Sequence, residues 1–242
     1  MRFNVYGLLS ILLLFVVWGL YAAYIDNTFI LPKPVMVLER VLELLQEPNT
    51  YLIIMRSFTR LLIAIASASI IAIILGLLAG AYKQFSEFLQ PLVTSLRTLP
   101  VASIIVILLI LVSRGTAIYV ITFLMIFPVL YESSKQGVLN IDPSIKHALA
   151  LDPHRRLQIL MFISLPLAFP YIKTGFLQSI GLGFKVLVMA EFIAQTPTSI
   201  GKALYDGSII AVQYDSVFAW TLIIILIVTV IEKGVHKISL NR

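Results

Sequence analysis

The stretch LLIAIASASIIAIILGLLAGAY, residues 61–82, contains no charged side chain over 22 residues. As an α-helix rising about 1.5 Å per residue, a segment of this length crosses the ~30 Å hydrocarbon core of a bilayer. Several of its residues are Ser, Ala or Gly, and small residues let neighbouring membrane helices approach closely. The stretch therefore predicts a membrane-spanning helix with a face that packs against other helices.

The composition of the whole chain is that of a polytopic membrane protein. Of its 242 residues, 60% are apolar and 12% are charged, whereas soluble domains have about 45–50% and about 25%. There is no cysteine, which excludes disulfides and thiolate metal sites. The three histidines show no metal-ligating spacing, and no cofactor is expected. The net charge of +6 is typical of loops that face anionic lipid headgroups and does not indicate a nucleic-acid partner.

Five more apolar runs bring the predicted number of transmembrane helices to about six. The first run, residues 7–25, competes with a signal-peptide interpretation, but its length and weak cleavage signal favour a retained helix. The other four runs cover residues 89–112, 116–131, 165–194 and 216–231. The predicted fold class is an all-α polytopic membrane protein.

Residues 31–49 follow the first span and predict an amphipathic helix. Pro34 suits a first helical position, and apolar residues recur at helical spacing while charged residues fill the other face. Such a helix lies at the membrane surface or caps the bundle through its apolar face. The sequence leaves both arrangements open.

The distribution of Lys and Arg predicts the orientation of the chain. If the N-terminus is cytoplasmic, the inner segments hold nine of these residues and the outer segments five. Cytoplasmic loops carry the excess of Lys and Arg. Both termini, and the polar stretch of residues 132–159, are therefore expected in the cytoplasm.

That polar stretch predicts two short helices separated by a break. Asp142 can cap a helix that begins at Pro143. The helix stops at Asp152 because the following Pro153 disfavours helical geometry in the residue before it. A second helix starts near His154 and merges into the fifth span. The segment presents charged side chains to a soluble partner, although an ordinary basic cytoplasmic loop has the same appearance.

The same segment resembles the loop motif of ABC-importer permeases of the binding-protein-dependent type, which reads E-A-A, three residues, G, and later I-x-L-P. Leu165–Pro166 and Ile163 match the I-x-L-P end, and counting back places His147, Ala148 and Leu149 on E-A-A and Pro153 on the glycine. Three other segments are similar to the nitrate/sulfonate/taurine branch of that family: LPKPVMVLERVLELL (31–45), FLQPLVTSLRTLPVASIIVILLIL (88–111) and VMAEFIAQTPTSIGKAL (188–204).

The resemblance implies a type I ABC-importer permease fold, with a cytoplasmic coupling helix inside the loop 142–159. On this basis residues 1–60 form an N-terminal transmembrane helix and a surface helix, and residues 61–242 form the permease core. The resemblance also implies partners: two copies of an ATP-binding subunit, a second permease copy in a homodimer, an external solute-binding protein and membrane lipid. The residues expected to couple to the ATP-binding subunit are His147, Ala148, Asp152, Pro153, His154, Arg155 and Arg156.

The function implied is import of a small solute, such as nitrate, a sulfonate, taurine or a vitamin precursor. The chain has no G-x-x-x-x-G-K-[ST] loop and none of the common hydrolase motifs. It is therefore expected to be a transport subunit and not an enzyme, with ATP hydrolysis on the partner. The alternative is a stand-alone secondary carrier or channel, although residues 1–120 and 121–242 show no convincing repeat.

Three ionisable residues inside the predicted spans are candidates for the translocation pathway: Arg97, Lys185 and Glu191. Ionisable side chains at membrane depth are costly and usually face the bundle interior or a water-filled path. Arg97 can instead extend to the headgroups, and Glu191 can instead pair within the bundle. Lys185 and Glu191 are six residues apart, about 240° around one helix, so they do not pair with each other.

Overall fold

The computed structural model describes residues 5–145 and 156–240, and the regular elements within these ranges are helices. The first part contains α1 (Val5–Ile25), α2 (Pro34–Gln46), α3 (Pro48–Ala81), α4 (Lys83–Thr98), α5 (Val101–Leu111) and α6 (Arg114–Leu139). The second part begins with α7, which runs from Arg156–Ile159 through a π-helical turn, Leu160–Ser164, into Leu165–Ala194. It continues with α8 (Ile200–Tyr205), which leads into a second π-helical turn, Asp206–Ile210, and ends with α9 (Tyr214–Leu240).

Five helices are long and apolar enough to cross a membrane: α1, α3, α6, α7 and the Tyr214–Ile231 part of α9. They confirm five of the six predicted spans. The helices are longer than the apolar runs, because α3 begins at Pro48 and α6 continues to Leu139. Polar residues that flank a span thus extend it as helix beyond the hydrocarbon core.

The remaining predicted span, residues 89–112, is a bent pair of helices, α4 and α5. The chain breaks at Leu99 and Pro100, and the axes of α4 and α5 differ in direction by 101°. Both residues have extended backbone angles, as expected where proline removes an N–H donor and disfavours helix in the residue before it. With 11 residues, α5 is only about 16 Å long at 1.5 Å per residue.

The directions of the helices show that α4 and α5 together return the chain across the bundle. Gly76 and Gly80 of α3 lie against Ser134 and Val138 of α6 in the same order, so these two helices run parallel. The end of α3 and the start of α6 are therefore at opposite ends of the bundle. Residues 83–111 connect those ends, and the bent pair takes the place of the predicted third span.

The packed face predicted for α3 is confirmed. The small residues Ala64, Ala68, Ala72, Gly76 and Ala79 are buried. A Cβ added to Gly76 would lie 2.5 Å from the carbonyl oxygen of Tyr131. A Cβ added to Gly80 would lie 2.5 Å from the Cβ of Val138. The helix α7 runs antiparallel to α6, since Gly137 faces Ala168 and Gly183 faces Ile126.

The helix α2 begins with Pro34 as predicted, and it packs against α9. Its buried residues are Val37 and Leu44, so it caps the bundle with one face. Leu38 and Leu42, on the predicted apolar face, are exposed.

Candidate functional site

A network of buried polar groups joins α3, α7 and α8 near the C-terminal end of α7. Its centre is Glu191, whose side chain is completely buried. Arg60 of α3 forms an ion pair with it, with 2.8 Å between Nη1 and Oε1. The hydroxyl of Ser57, one turn earlier on the same face of α3, lies 2.9 Å from Oε1 and 2.8 Å from Oε2. The charge of the carboxylate is therefore both neutralised and hydrogen-bonded.

The same groups hold the first turn of α8. The Ile200 backbone N–H donates to Ser57 Oγ at 3.1 Å, and the Gly201 N–H donates to Glu191 Oε2 at 3.3 Å. Ser199 caps the helix, because its Oγ accepts from the Lys202 N–H at 3.0 Å. The first N–H groups of a helix have no partner within the helix, and here side chains of α3 and α7 accept from them.

Gly201 is required by the close approach of α8 to α7. A Cβ at this position would lie 2.5 Å from the Glu191 Cβ and even closer to the backbone nitrogen of Phe192. Because the obstacle includes backbone, a larger residue would push α8 away from the carboxylate.

The loop between α7 and α8 is strained and tied to the same network. Gln195 and Thr198 have φ angles of 50° and 51°, in the left-handed region that side-chain-bearing residues seldom adopt. Arg60 Nη2 donates to the Pro197 carbonyl at 3.3 Å, and Ser199 Oγ donates to the Thr196 carbonyl at 2.7 Å. These bonds hold the loop in a conformation that its own residues do not favour.

The arrangement is suited to fixing helices and not to proton transfer or cation binding. A general base needs a lone pair free for substrate, whereas donors from Ser57, Arg60 and Gly201 occupy both oxygens of Glu191. Among the described residues, no group of His, Asp and Glu side chains could hold a metal ion. Of the two alternatives for Glu191, the structure shows pairing within the bundle, and a contribution to the pathway stays a prediction.

The other two pathway candidates lie on exposed faces. Lys185 is on α7 together with Gln178, Leu182 and Met189, which share one face at helical spacing and are all exposed. Arg97 is exposed in the last turn of α4, where a positive charge interacts favourably with the helix dipole. The structure thus separates these two cations from the buried Glu191.

A shallow, open groove on α4 was not predicted from the sequence. It has a volume of about 570 Å³ and is lined by Ser86, Glu87, Gln90, Pro91, Thr94 and Ser95. The ammonium of Lys135 on α6 donates to Gln90 Oε1 at 3.2 Å, which ties α4 to α6 beside the groove. The signal in the sequence was the four-residue spacing of Ser86, Gln90 and Thr94, which places them on one helix face.

Residues 68–233 match the family described as "Binding-protein-dependent transport system inner membrane component". This match covers well over half of the chain. The chain belongs to this family of ABC-importer permeases.

Curated relatives agree with that assignment over most of their length. The taurine transport system permease protein TauC of Escherichia coli is 28% identical over 240 residues, 96% of this chain and 86% of that protein. The nitrate import permease protein NrtB of Synechocystis is 28% identical over 244 residues, 96% of this chain and 84% of that protein. The bicarbonate transport system permease protein CmpB of Synechococcus elongatus is 29% identical over 153 residues, 62% of this chain and 55% of that protein.

The chain is thus a membrane-spanning permease subunit of an ATP-driven ABC importer and not an enzyme. The resemblance stated from the loop motif and the all-α polytopic fold class are confirmed. Membership of the family also implies an ATPase subunit and a solute-binding protein as partners.

The residues expected to couple the permease to its ATPase lie almost entirely outside the described residues. These are His147, Ala148, Asp152, Pro153, His154 and Arg155, while Arg156 is the first residue of α7. The structure describes the start of the loop, where a helical turn begins at Pro143 as predicted. Asp142 Oδ1 accepts from the Ser144 Oγ at 2.6 Å and from its backbone N–H at 2.7 Å. These two bonds lower the pKa of the Asp142 carboxyl.

Sequence reasoning missed three members of the buried network: Ser57, Arg60 and Gly201. Arg60 lies one residue before the predicted span 61–82, and Ser57 lies three residues further back. The available signal was Glu191 itself, because a carboxylate at membrane depth needs a cation or several donors nearby.

Proposed function

We propose that two copies of this permease form a pathway for a small solute across the cell membrane, with both termini of each copy in the cytoplasm. The observation that carries the proposal is the exposure of polar side chains on membrane helices, with Lys185 on α7 and Gln90 and Thr94 on α4. Polar groups at membrane depth face protein or water and not lipid. A second copy related by two-fold symmetry would enclose these faces. The family match at residues 68–233 supports 61–242 as the permease core.

The solute that fits this chain best is a small anion, such as nitrate, a sulfonate or taurine; a vitamin precursor is the alternative solute. The two exposed pathway candidates, Arg97 and Lys185, are cations, while the carboxylate of Glu191 is already neutralised by Arg60. The named solutes of three relatives are taurine, nitrate and bicarbonate. An external binding protein would deliver the solute to the outer end of the pathway.

Two ATP-binding subunits would dock on the loop 142–159, with contacts from His147, Ala148, Asp152, Pro153, His154, Arg155 and Arg156. Support comes from the helix that follows the loop. From its first residue, Arg156, α7 continues through the π-helical turn to Ala194, about 58 Å at 1.5 Å per residue. A displacement of the loop would therefore reach the opposite end of the bundle along one helix.

The test is ATP-dependent uptake of labelled taurine, nitrate and an alkanesulfonate into liposomes that hold the complete complex with its binding protein. The double variant Asp152→Lys with Arg155→Glu should insert normally but lose uptake while ATP hydrolysis continues. The matched control is Arg40→Glu with Glu43→Arg, which reverses an ion pair 2.7 Å apart on α2. Unchanged uptake in the 152/155 variant would reject the coupling assignment. Uptake by the permease without ATP or partners would indicate a stand-alone carrier.

The pathway assignment has its own test, because the chain has no native cysteine. A single cysteine at Lys185 should react with a water-soluble thiol reagent, and bound solute should slow the reaction. A cysteine at Leu14, which is 69% exposed on α1, is the lipid-facing control and should react slowly. Equal rates at the two positions would contradict a water-filled path at Lys185.

A further inference from the structure

We infer that α3, α7 and α8 move as one body during transport, and that Ser57, Arg60 and Gly201 are positioning residues that attach α8 through Glu191. The inference rests on the proposed function, because it concerns movement during the transport cycle. It predicts that the contact between α3 and α8 persists throughout the cycle.

The first argument is the nature of the contact. The side chains of Ser57 and Glu191 are both completely buried. The backbone N–H groups in the first turn of α8 donate their hydrogen bonds to these two side chains and to Ser199. Separating α8 would leave the Ile200 and Gly201 N–H groups without acceptors in the interior and would remove one of the two donors from Glu191 Oε2. Unpaired buried polar and charged groups are strongly unfavourable.

The second argument is that α3 and α7 are held together along their length, both directly and through α6, which packs closely on both helices and therefore belongs to the same block. Near the far end of the bundle, Leu77 of α3 shares a buried cluster with Leu160 and Ile172 of α7. In the middle, a Cβ on Gly183 of α7 would lie 3.2 Å from Leu61 of α3. The Glu191 network closes the other end. Densely packed helices joined at three levels behave as a rigid unit.

The consequence is a division of the permease into a moving block and its surroundings. The segment α8 and the π-helical turn after it would be carried by α7, and they would not act as an independent flap. Opening at that end of the bundle would then occur along other contacts of the block, such as its contact with α9 or with the second copy.

A reversible cross-link tests whether α8 leaves α3. Ser57 Oγ lies 3.1 Å from the Ile200 backbone nitrogen, so α3 and α8 are in direct contact here. Cysteines introduced at these two positions would be the only thiols of the otherwise cysteine-free chain. In the complete complex, the oxidised Ser57→Cys/Ile200→Cys variant should import solute at the same rate as the reduced variant. Loss of import on oxidation, recovered by reductant, would overturn the inference.

A second measurement does not depend on forming that disulfide. Arg60→Gln should lower the number of solute molecules imported per ATP hydrolysed severalfold, because α3 is no longer held firmly to α7 and to the loop before α8. Its control is Arg40→Gln, which removes an exposed pair with Glu43 and should leave the ratio unchanged. A purely structural role of Arg60 would lower import and hydrolysis together and keep the ratio constant, which would overturn the positioning role.

The two proposals fail in different ways. If the unmodified complex shows no ATP-dependent import, the proposed function fails. If the unmodified complex imports solute but the oxidised cross-link blocks it, the proposed function stands and the rigid-block inference fails.

Discussion

Replacing Arg60 with Met should destabilise the permease by about 3 kcal/mol, because removing one partner of a buried ion pair costs about 3–5 kcal/mol. The lower end applies, since the Arg60 side chain keeps 16% of its exposure while that of Glu191 has none. Methionine preserves much of the apolar stem, so the loss reports the missing charge and hydrogen bonds. The remaining donors, Ser57 and Gly201, would hold a carboxylate without a counter-charge.

The assay is thermal unfolding of the purified permease in detergent, followed by the fraction that stays monodisperse. At about 2–4 °C per kcal/mol for a chain of this size, the Arg60→Met variant should unfold about 6–12 °C below the parent. Adding Glu191→Met should recover only part of that difference, because it removes the uncompensated charge but leaves the Gly201 N–H and the Ser57 hydroxyl without their acceptor.

The matched control is Arg40→Met on α2. Its ion pair with Glu43 has nearly the same length, 2.7 Å, but the two side chains are 28% and 62% exposed. Exposed pairs contribute about 0–1 kcal/mol, so the midpoint should shift by a few degrees at most. Equal shifts for Arg60→Met and Arg40→Met would refute the argument that burial makes the Arg60 pair important.

Gly201→Ala should lower stability by about 1–3 kcal/mol through overpacking against α7, whereas Gly115→Ala, with nothing within 4 Å of the new Cβ, should be neutral or stabilising; equal melting points would contradict this contrast. The pKa of Asp142 is lowered in the folded protein. The hydrogen bonds from Ser144 to its carboxylate therefore stabilise the turn at pH values above the ordinary carboxyl pKa, and this stabilisation is lost as the pH falls through the lowered pKa of the folded state. Amide-exchange protection at Ser144 should fall in that range, and Asp142→Asn, which keeps an acceptor oxygen, should show no such step. Ser113→Ala should cost about 1 kcal/mol of thermal stability, because it removes the cap of α6; an unchanged melting point would show that water replaces the hydroxyl.

Much of the fold follows from local properties of the sequence. Five spans were located because long, predominantly apolar runs satisfy the backbone only as a helix in lipid. The starts of α2 at Pro34 and of a helical turn at Pro143 were also predicted. Each depends on a proline and its immediate neighbours, so no distant contact had to be known.

The bend between α4 and α5 was only partly predictable from the local sequence. Pro100 was visible in the sequence, but an isolated proline in a membrane helix gives anything from a mild kink to a full break. Here α6 runs parallel to α3, so the connecting segment must cross the bundle while α4 packs on α3 and α6. Those tertiary contacts decide the angle of 101°.

The partners of Glu191 were decided by tertiary structure alone. The sequence showed a carboxylate at membrane depth and therefore a need for a cation, but several basic residues met that description. Arg60 and Ser57 are 131 and 134 positions away along the chain. Only the antiparallel packing of α3 on α7 brings them to the carboxylate, and only the absence of a side chain at Gly201 admits α8 beside it. The sequence thus shows that a buried carboxylate needs a cation nearby, while the fold determines which residue supplies it.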